Sequence, residues 1–317
     1  MMNKENNILY KIKSVIFGLA VGDALGVPVE FASREELDGA PVFDMEGFGT
    51  YPYPAGAWSD DTSMSLCALD SLAKGSVDYN EIMKNFSRWM ADGEYTSVGV
   101  CFDIGGACHK AINRFLSCFP ALACGGMDEH SNGNGSLMRI LPFVLFCEYC
   151  THEEDDLEII HTASALTHAH ERSKIGCGIY SIIIRQLLEE PSRESVKTGL
   201  EMAALQYKEN EELSHYKRIF DPNFKDMKRE EIKSSGYVVD TLEAALWCLL
   251  TTTSYKECVL KAVNLGEDTD TVAAVAGGMA GALYGYDGIP KGWINTLLKR
   301  DYIDNMCERA FLGWQTK

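Results

Sequence analysis

The stretch that decides the fold reads Asp268-Thr-Asp-Thr-Val-Ala-Ala-Val-Ala-Gly-Gly-Met-Ala-Gly-Ala-Leu283. Across residues 272–283 almost every side chain is apolar or small, a pattern that predicts a helix buried on all sides. The carboxylates at its start are then carried toward the protein interior. Buried carboxylates need partners, and the neighbouring sequence supplies no Arg or Lys.

A second acidic cluster, Ser59-Asp60-Asp61-Thr62, also precedes a helical pattern. Across residues 63–74 apolar side chains recur at helical spacing, and Gly75 marks the expected end. Taken alone, each cluster is typical of a helix cap, for which Ser, Thr and Asp are preferred. Two such clusters at the starts of buried helices favour a metal site instead.

The predicted metal site combines the two clusters. Their four aspartates would repel each other unless cations or protons neutralised them, and two divalent cations would balance the charge. The predicted ligands are Ser59, Asp60, Asp61, Asp268, Asp270 and Thr271. Because these residues all offer oxygen atoms, they favour magnesium, manganese or calcium over zinc or copper.

Composition limits the function classes. The chain has 317 residues, is 46% hydrophobic and carries a formal net charge of -17, so we expect one globular domain spanning residues 1–317. The negative charge argues against nucleic acid backbones and anionic membranes as partners. Residues 15–24 are apolar like a signal peptide, but Asp23 interrupts them. The eleven cysteines lack a framework spacing, which favours reduced thiols in a cytoplasmic protein.

Helical spacing dominates the rest of the chain, so we predict an all-α fold. One apolar stripe begins at Ile8 and ends near Gly26, where Pro28 prevents a simple continuation. Further stripes cover residues 175–188, 242–250 and 259–265. Two segments are predicted to be surface loops, because residues 35–57 are rich in Gly and Pro and residues 208–235 are charged with little periodicity.

Three other motifs carry groups that bind or react. In Gly133-Asn-Gly-Ser136 the glycines permit a close approach of backbone to ligand, and a helix starting at Ser136 would offer N–H groups to a phosphate. Alone, this motif is more typical of a tight turn. His168 suits either a ligand contact or a buried structural position. Asp103 and Glu30 lie among apolar neighbours, which suits either a raised catalytic pKa or a structural hydrogen bond.

Six motifs in a fixed order resemble those of a known family. They are Gly18-Leu-Ala-Val-Gly-Asp-Ala-Leu-Gly-Val-Pro-Val-Glu30, Trp58-Ser-Asp-Asp-Thr62, Cys101-Phe-Asp-Ile-Gly105, Gly133-Asn-Gly-Ser-Leu-Met-Arg139, Thr167-His168 and Gly266-Glu-Asp-Thr-Asp-Thr271. The sequence is similar in this order to the ADP-ribosylglycohydrolase family, which includes the dinitrogenase reductase activating glycohydrolases and, as relatives, jellyfish lens crystallins. The resemblance covers about residues 16–285.

The resemblance implies a compact all-α bundle with two magnesium or manganese ions in a cleft, held at the six ligand positions given above. It also implies that Glu30 lies beside the metals. The residues implied to contact ADP-ribose are Gly133, Asn134, Gly135, Ser136, His168 and Tyr237. One departure is Glu267, since many members have Gly there, and a side chain pointing into the cleft would change the substrate scope.

The implied reaction is hydrolysis of the bond between C1 of the distal ribose and a side chain of an ADP-ribosylated protein, which releases ADP-ribose. Asp103 and Glu30 are the candidates for proton transfer, with Asp103 preferred for activating the attacking group. An acidic cleft suits arginine linkages, while serine and other linkages stay open. The alternatives are a non-enzymatic crystallin-like or ADP-ribose-binding relative, and a hydrolase of another ribosylated or phosphorylated metabolite.

Overall fold

The computed structural model describes residues 4–150 and 156–315. These residues contain no β-strand, and their only sheet-like contacts are two isolated bridges. The prediction of an all-α fold is therefore confirmed. The helices of the described residues are α1 Lys4–Gly26, α2 Arg34–Gly39, α3 Asp60–Leu72, α4 Tyr79–Asp92, α5 Gly106–Leu116, α6 Leu141–Tyr149, α7 Asp156–Ala165, α8 Glu171–Glu189, α9 Arg193–Gln206, α10 Val238–Leu250, α11 Tyr255–Val263, α12 Thr269–Tyr284, α13 Lys291–Thr296 and α14 Arg300–Trp314.

Helix α12 forms the centre of the protein. Every residue from Thr269 to Ala282 is buried, and helices α1, α3, α8, α10 and α11 pack around it. The prediction of a helix buried on all sides is confirmed, except that Leu283 is half-buried. Because nearly the whole surface of α12 is apolar, exposing any side of it to water would be unfavourable, and the hydrophobic effect keeps the helix in the core.

Glycines let α1 and α12 approach until their backbones touch. A Cβ atom on Gly22 would lie 2.0 Å from the carbonyl oxygen of Ala273, and one on Gly277 would meet the backbone of α1 at 2.2 Å. At the end of α1, a Cβ on Gly26 would lie 2.3 Å from the backbone of Asp270. Only glycine fits at such distances, so these residues bring the end of α1 against the acidic start of α12.

Helix α1 contains a window, Asn7–Val29, that is long and apolar enough to cross a membrane. Most of that window, 83%, is buried inside the protein, as is typical of a core helix. The predicted interruption before Pro28 is confirmed, because α1 ends at Gly26 and a 3-10 turn, Val27–Val29, follows. This turn directs Glu30 back toward the start of α12.

Helix α3 begins earlier than the sequence predicts. The spacing of apolar residues placed its start at Ser63, whereas the helix starts at Asp60. The cause is the side chain of Ser59, which accepts a hydrogen bond from the Asp61 backbone and caps the first turn. Asp60 and Asp61 therefore belong to the helix itself and are fixed by it.

The other predicted helices are confirmed, while the two predicted loops are partly wrong. The stripes in residues 175–188, 242–250 and 259–265 correspond to α8, α10 and α11. Ser33 and Glu36 form a capping box that starts α2, a short helix that extends into the first predicted loop. The second contains the 3-10 helices Glu211–Phe220, Phe224–Asp226 and Arg229–Glu231. Buried Tyr216 and Phe224 anchor that segment to the core.

Candidate active site

The starts of α3 and α12 meet the end of α1 and the loop before α5. Together they gather the side chains of Asp23, Glu30, Asp60, Asp61, Asp103, Asp268 and Asp270. Asp61 and Asp270 are fully buried, and Asp268 is half-buried. The two acidic clusters thus lie in one place, although Asp61 and Asp268 are 207 residues apart in the sequence.

The carboxylates fall into two groups whose oxygens lie within 4.8 Å of one another. One group consists of Asp23, Asp61 and Asp270, and the other of Glu30, Asp268 and Asp270. Asp270 therefore belongs to both groups and links them. Carboxylates this close repel each other unless protons or cations lie between them.

The cluster fits divalent cations on the evidence of its unpartnered oxygens. Among the described residues, Oε2 of Glu30, Oδ1 of Asp61 and Oδ2 of Asp270 are buried and accept no hydrogen bond. None of the ion pairs found in residues 4–150 and 156–315 includes a carboxylate of this cluster. A buried carboxylate oxygen without a partner is costly, and an oxygen-binding cation would remove that cost.

Burial raises the pKa of several carboxyls in the cluster. Burial, with the nearby charges of Asp103 and Asp268 adding to it, raises the pKa of Glu30 to about 9. Burial also raises the pKa of Asp23 to about 6. For Asp60, Asp61 and Asp270, burial and then the charges of neighbouring carboxylates raise the pKa well above the usual range. Without cations, several of these groups hold protons at neutral pH.

Asp23 has a part in the site that the sequence did not assign. Its Oδ1 and Oδ2 accept hydrogen bonds from the backbone N–H of Ser59 at 3.0 and 3.1 Å. Its Oδ2 also accepts from the backbone and hydroxyl of Thr62 at 3.1 and 2.6 Å. Asp23 thus caps α3 from α1 and fixes where Asp60 and Asp61 lie. Its one sequence signal was an acid on an apolar stripe, four residues after Leu19.

The two hydroxyl residues predicted as neutral ligands lie in the same cluster. The Ser59 hydroxyl is 3.1 Å from Oδ2 of Asp61, and the Thr271 hydroxyl is 3.5 Å from the same oxygen. The backbone of Thr271 also donates to Oδ1 of Asp270 at 2.8 Å. All six predicted ligand residues therefore share one site, although their part in metal binding stays a prediction.

Asp103 reaches the cluster from the loop before α5. Its backbone has a φ of 56°, a left-handed conformation that is uncommon outside glycine. Its Oδ1 accepts a hydrogen bond from the Tyr51 hydroxyl at 2.9 Å, and the rings of Tyr51 and Tyr53 pack on Phe102. Burial raises the pKa of Asp103. Sequence analysis missed Tyr51 because it lies in a Gly- and Pro-rich segment without periodicity.

A cleft of about 370 Å³ opens above the carboxylates. Its walls include Glu30, Asp60, Asp103, Asp268, Thr271, Gly133, Asn134, Gly135 and His168. The side-chain amide of Asn134 donates to Oδ2 of Asp268 at 2.8 Å, which attaches the glycine loop to the start of α12. Among the described residues, no hydrogen bond uses the N–H groups of Gly135 and Ser136.

No helix starts at Ser136, and the tight turn that is more typical of this motif is found instead. Residues 135–139 form a turn, and the next helix, α6, begins at Leu141. The Ser136 side chain is buried behind the loop and accepts a hydrogen bond from the Ser164 hydroxyl at 2.9 Å. Ser136 as a whole is buried and does not line the cleft, so the predicted contact of Ser136 with ADP-ribose is wrong.

Two other residues lie beside the cleft rather than in its walls. Tyr237 is half-buried ahead of α10, with the Arg172 guanidinium 5.9 Å from its ring, and its neighbour Gly236 lines the cleft instead. Glu267 is exposed, with a φ of 64°, and its carbonyl accepts from the backbone of Phe31 at 2.8 Å. Phe31 lines the cleft, whereas Glu267 does not.

Comparison with known proteins agrees with the order of the motifs. A family model described as ADP-ribosylglycohydrolase matches residues 4–317. The chain belongs to the ADP-ribosylglycohydrolase family. It is 36% identical over 315 residues to the ADP-ribosylarginine hydrolase Tri1 of Serratia proteamaculans, covering 97% of this chain and 80% of that relative. It is 33% identical over 285 residues to the ADP-ribosyl-[dinitrogen reductase] glycohydrolase of Rhodospirillum rubrum, covering 88% and 87%.

A solved structure shares the fold of this ADP-ribosylglycohydrolase. It is described as an ADP-ribosylglycohydrolase-related protein complex and superimposes with a TM-score of 0.80 at 28% identity, covering 97% of this chain and 99% of that chain. The protein is thus an enzyme that hydrolyses an ADP-ribosyl bond. The non-enzymatic alternative is set aside, because the relatives are hydrolases and all six ligand positions keep oxygen-bearing side chains.

Proposed function

We propose that this ADP-ribosylglycohydrolase removes ADP-ribose from arginine side chains of modified proteins, in a reaction that requires two divalent cations, Mg²⁺ or Mn²⁺. The observation that carries the proposal is the carboxylate cluster with its three unpartnered buried oxygens. Relatives in Serratia proteamaculans and Pseudomonas putida, 36% and 34% identical, are both ADP-ribosylarginine hydrolases and support the arginine linkage.

The residues that would hold the cations offer carboxylate and hydroxyl oxygens at the starts of α3 and α12 and, from Glu30, just after α1. They are Glu30, Ser59, Asp60, Asp61, Asp268, Asp270 and Thr271. When bound, the cations would orient the ribose hydroxyls and stabilise charge that develops during cleavage. Asp23 would keep the start of α3 in position, since its oxygens already accept hydrogen bonds from that helix.

The diphosphate of ADP-ribose fits the loop of residues 133–135. The N–H group of Gly135, which lines the cleft, makes no hydrogen bond among the described residues, and backbone N–H groups are good ligands for phosphate oxygens. A Cβ on Gly135 would lie 2.9 Å from Cε1 of His168, so any side chain would crowd this wall. Because Asn134 joins the loop to Asp268, a ligand on the loop places its distal ribose toward the carboxylates.

In this proposal Asp103 takes a proton from an attacking water. The Tyr51 hydroxyl donates to Oδ1 of Asp103, and burial raises the pKa of Asp103 and so makes it a stronger base. The water oxygen bonds to C1 of the ribose as the bond from C1 to the guanidine nitrogen breaks. The leaving nitrogen gains a proton, so the products are ADP-ribose and arginine. Glu30 is the second candidate for proton transfer.

Mass spectrometry of two matched peptides, one carrying ADP-ribosyl-arginine and one carrying ADP-ribosyl-serine, tests the proposal. We expect the enzyme to release ADP-ribose from the arginine peptide in the presence of Mg²⁺ or Mn²⁺ and to lose activity in EDTA. Faster release from the serine peptide would contradict the linkage. Activity that is unchanged in EDTA would contradict the metal requirement, and turnover of simple phosphoesters would favour a hydrolase of another metabolite.

A further inference from the structure

Beneath the cleft, a buried arginine is connected to His168 through one threonine hydroxyl. The Arg139 guanidinium is fully buried, and its Nη2 donates to Oγ1 of Thr167 at 2.8 Å. The same oxygen lies 2.8 Å from Nδ1 of His168. These three residues form a chain of hydrogen bonds that ends at the wall of the cleft, where His168 lies.

The available donors and acceptors determine which atom donates in each of these hydrogen bonds. An arginine side chain only donates, so the Thr167 hydroxyl accepts from Arg139. A hydroxyl has one proton, and the strongest acceptor within its reach is Nδ1 of His168. The thiol of Cys108 also lies next to this hydroxyl, but sulfur is a weak acceptor. Nδ1 of His168 therefore accepts, and the single proton of a neutral ring lies on Nε2.

Two observations support a neutral ring whose Nε2 faces the cleft. Burial, followed by the positive charge of Arg139, lowers the pKa of His168 to about 3. Cβ positions built on Gly133 and Gly135 each lie 3.4 Å from Nε2, so this nitrogen borders the glycine loop. In residues 4–150 and 156–315 no hydrogen bond uses Nε2. The donor is thus free for a ligand.

We propose that Arg139 and Thr167 are positioning residues, which fix His168 as an Nε2–H donor to a diphosphate in the cleft. Arg139 has no carboxylate partner among the described residues, its Nε and Nη1 are buried without acceptors, and its guanidinium lies 4.9 Å from the ring of Phe86. Its charge is therefore not neutralised locally and adds to the attraction for an anion. The diphosphate rests on the proposed function, whereas the ring tautomer does not.

Nitrogen NMR of the ligand-free enzyme, labelled with ¹⁵N-histidine, measures the tautomer directly. His168→Gln identifies the resonances of this residue among the seven histidines. We expect a protonated Nε2 and an unprotonated Nδ1 in the wild type and in Thr167→Ser, which keeps the hydroxyl. In Thr167→Val the single tautomer should give way to a mixture. A wild-type ring protonated at Nδ1 would overturn the proposal.

Calorimetry of ADP-ribose binding tests the consequence. Thr167→Val should weaken binding by about tenfold, the loss expected for one hydrogen bond to a charged group, and Thr167→Ser should restore it. Thr252→Val is the matched control, because it removes another buried threonine hydroxyl, one that donates to the Cys248 carbonyl away from the cleft. Its affinity for ADP-ribose should equal that of the wild type.

The outcomes separate the two proposals. Wild-type affinity in a folded Thr167→Val variant would overturn the positioning role. If Thr167→Val does not fold, the wild-type tautomer and the affinity of Thr167→Ser still decide. If the wild type itself does not bind ADP-ribose, the proposed function fails, and inorganic pyrophosphate replaces it as the anion. Equal pyrophosphate affinity in the wild type and His168→Gln would then overturn the positioning proposal.

Discussion

The two ends of the contact between α1 and α12 differ in what holds them. Along most of its length, glycines bring the two backbones together, and the surrounding residues are apolar and buried. At the end near Gly26 and Asp270, the same close approach gathers carboxylates that repel each other. Packing in the first region stabilises the folded state, whereas carboxylate repulsion in the second destabilises it in the absence of cations.

This difference shows how stability and function share the same helices. The hydroxyl of Thr269 donates to the carbonyl of Gly26 at 2.8 Å, so the acidic start of α12 cannot move away from α1. Asp23, four residues after Leu19, then caps α3 and brings the second acidic cluster to the first. The apolar contact is therefore the reason that an unfavourable group of charges persists in the folded state.

The largest effect is expected from widening the contact itself. Gly22→Ala would place a methyl group 2.0 Å from the Ala273 carbonyl, and a helix backbone cannot give way as a side chain can. We expect a loss of about 3 kcal/mol or more in the free energy of unfolding, together with weaker binding of divalent cations. Urea denaturation followed by circular dichroism measures the first quantity, and calorimetry measures the second.

Gly292→Ala is the matched control for that variant. A Cβ on Gly292 meets nothing within 4 Å, so the same substitution in α13 should leave cation binding unchanged and raise stability by about 0.5 to 1 kcal/mol. Equal stability of the two variants would show that the close approach of α1 and α12 does not hold the fold together.

Asp270→Asn changes only the carboxylate end of the contact between α1 and α12 and leaves its glycine packing intact. Asn keeps an oxygen for the Thr271 backbone but removes a charge shared by both carboxylate groups. We expect hydrolysis of ADP-ribosyl-arginine to be nearly abolished and Mg²⁺ affinity to fall, while the melting temperature of the cation-free protein stays the same or rises. A lower melting temperature with normal turnover would instead make Asp270 a structural residue.

Asp103→Asn separates proton transfer from metal binding. Asn still accepts the hydrogen bond of Tyr51 but is a far weaker base, so turnover should fall by roughly 10²- to 10⁴-fold while Mg²⁺ and ADP-ribose still bind. Tyr51→Phe is the comparison variant, since it keeps the carboxylate and loses only its support, and its loss of turnover should be smaller. Near-normal turnover in folded Asp103→Asn would move the proton-transfer role to Glu30.

A smaller effect is expected on how the stability of the folded protein depends on pH. The folded pKa values of Glu30, about 9, and Asp23, about 6, lie above those of unfolded carboxyls, so the folded state binds more protons between about pH 4 and pH 9. Stability of the EDTA-treated protein should therefore fall as pH rises through this range, by about 1 kcal/mol per pH unit. Saturating Mg²⁺ should weaken this slope, because cations replace the protons. A slope unchanged by Mg²⁺ would contradict the prediction.

The sequence predicted the buried helix and the acidic residues because both depend on local patterns. Runs of small apolar residues reveal a central helix, and two acidic clusters at the starts of buried helices favour a metal site over simple helix caps. The start of α3 at Asp60 was not predicted, because it depends on capping by Ser59 and, from another helix, by Asp23. Spacing within one segment carries no information on contacts of this kind.

The parts of the site that the sequence missed are supports from distant segments. Tyr51 lies in a segment without periodicity, so nothing marked it as the partner of Asp103. The connection from Arg139 to His168 passes through Thr167, and only the folded chain brings them together. The sequence left open whether a helix or a turn follows the glycines at 133 and 135, and the structure has a turn, with α6 beginning only at Leu141.

Anomalous diffraction from crystals soaked in Mn²⁺ would show whether the contact of α1 with α12 gathers these carboxylates to bind divalent cations. We expect two manganese peaks about 3.5 to 4 Å apart, the spacing usual in two-metal sites, between Glu30, Asp61 and Asp270. Manganese found only on the protein surface, or no manganese at this cluster at saturating concentration, would contradict this expectation.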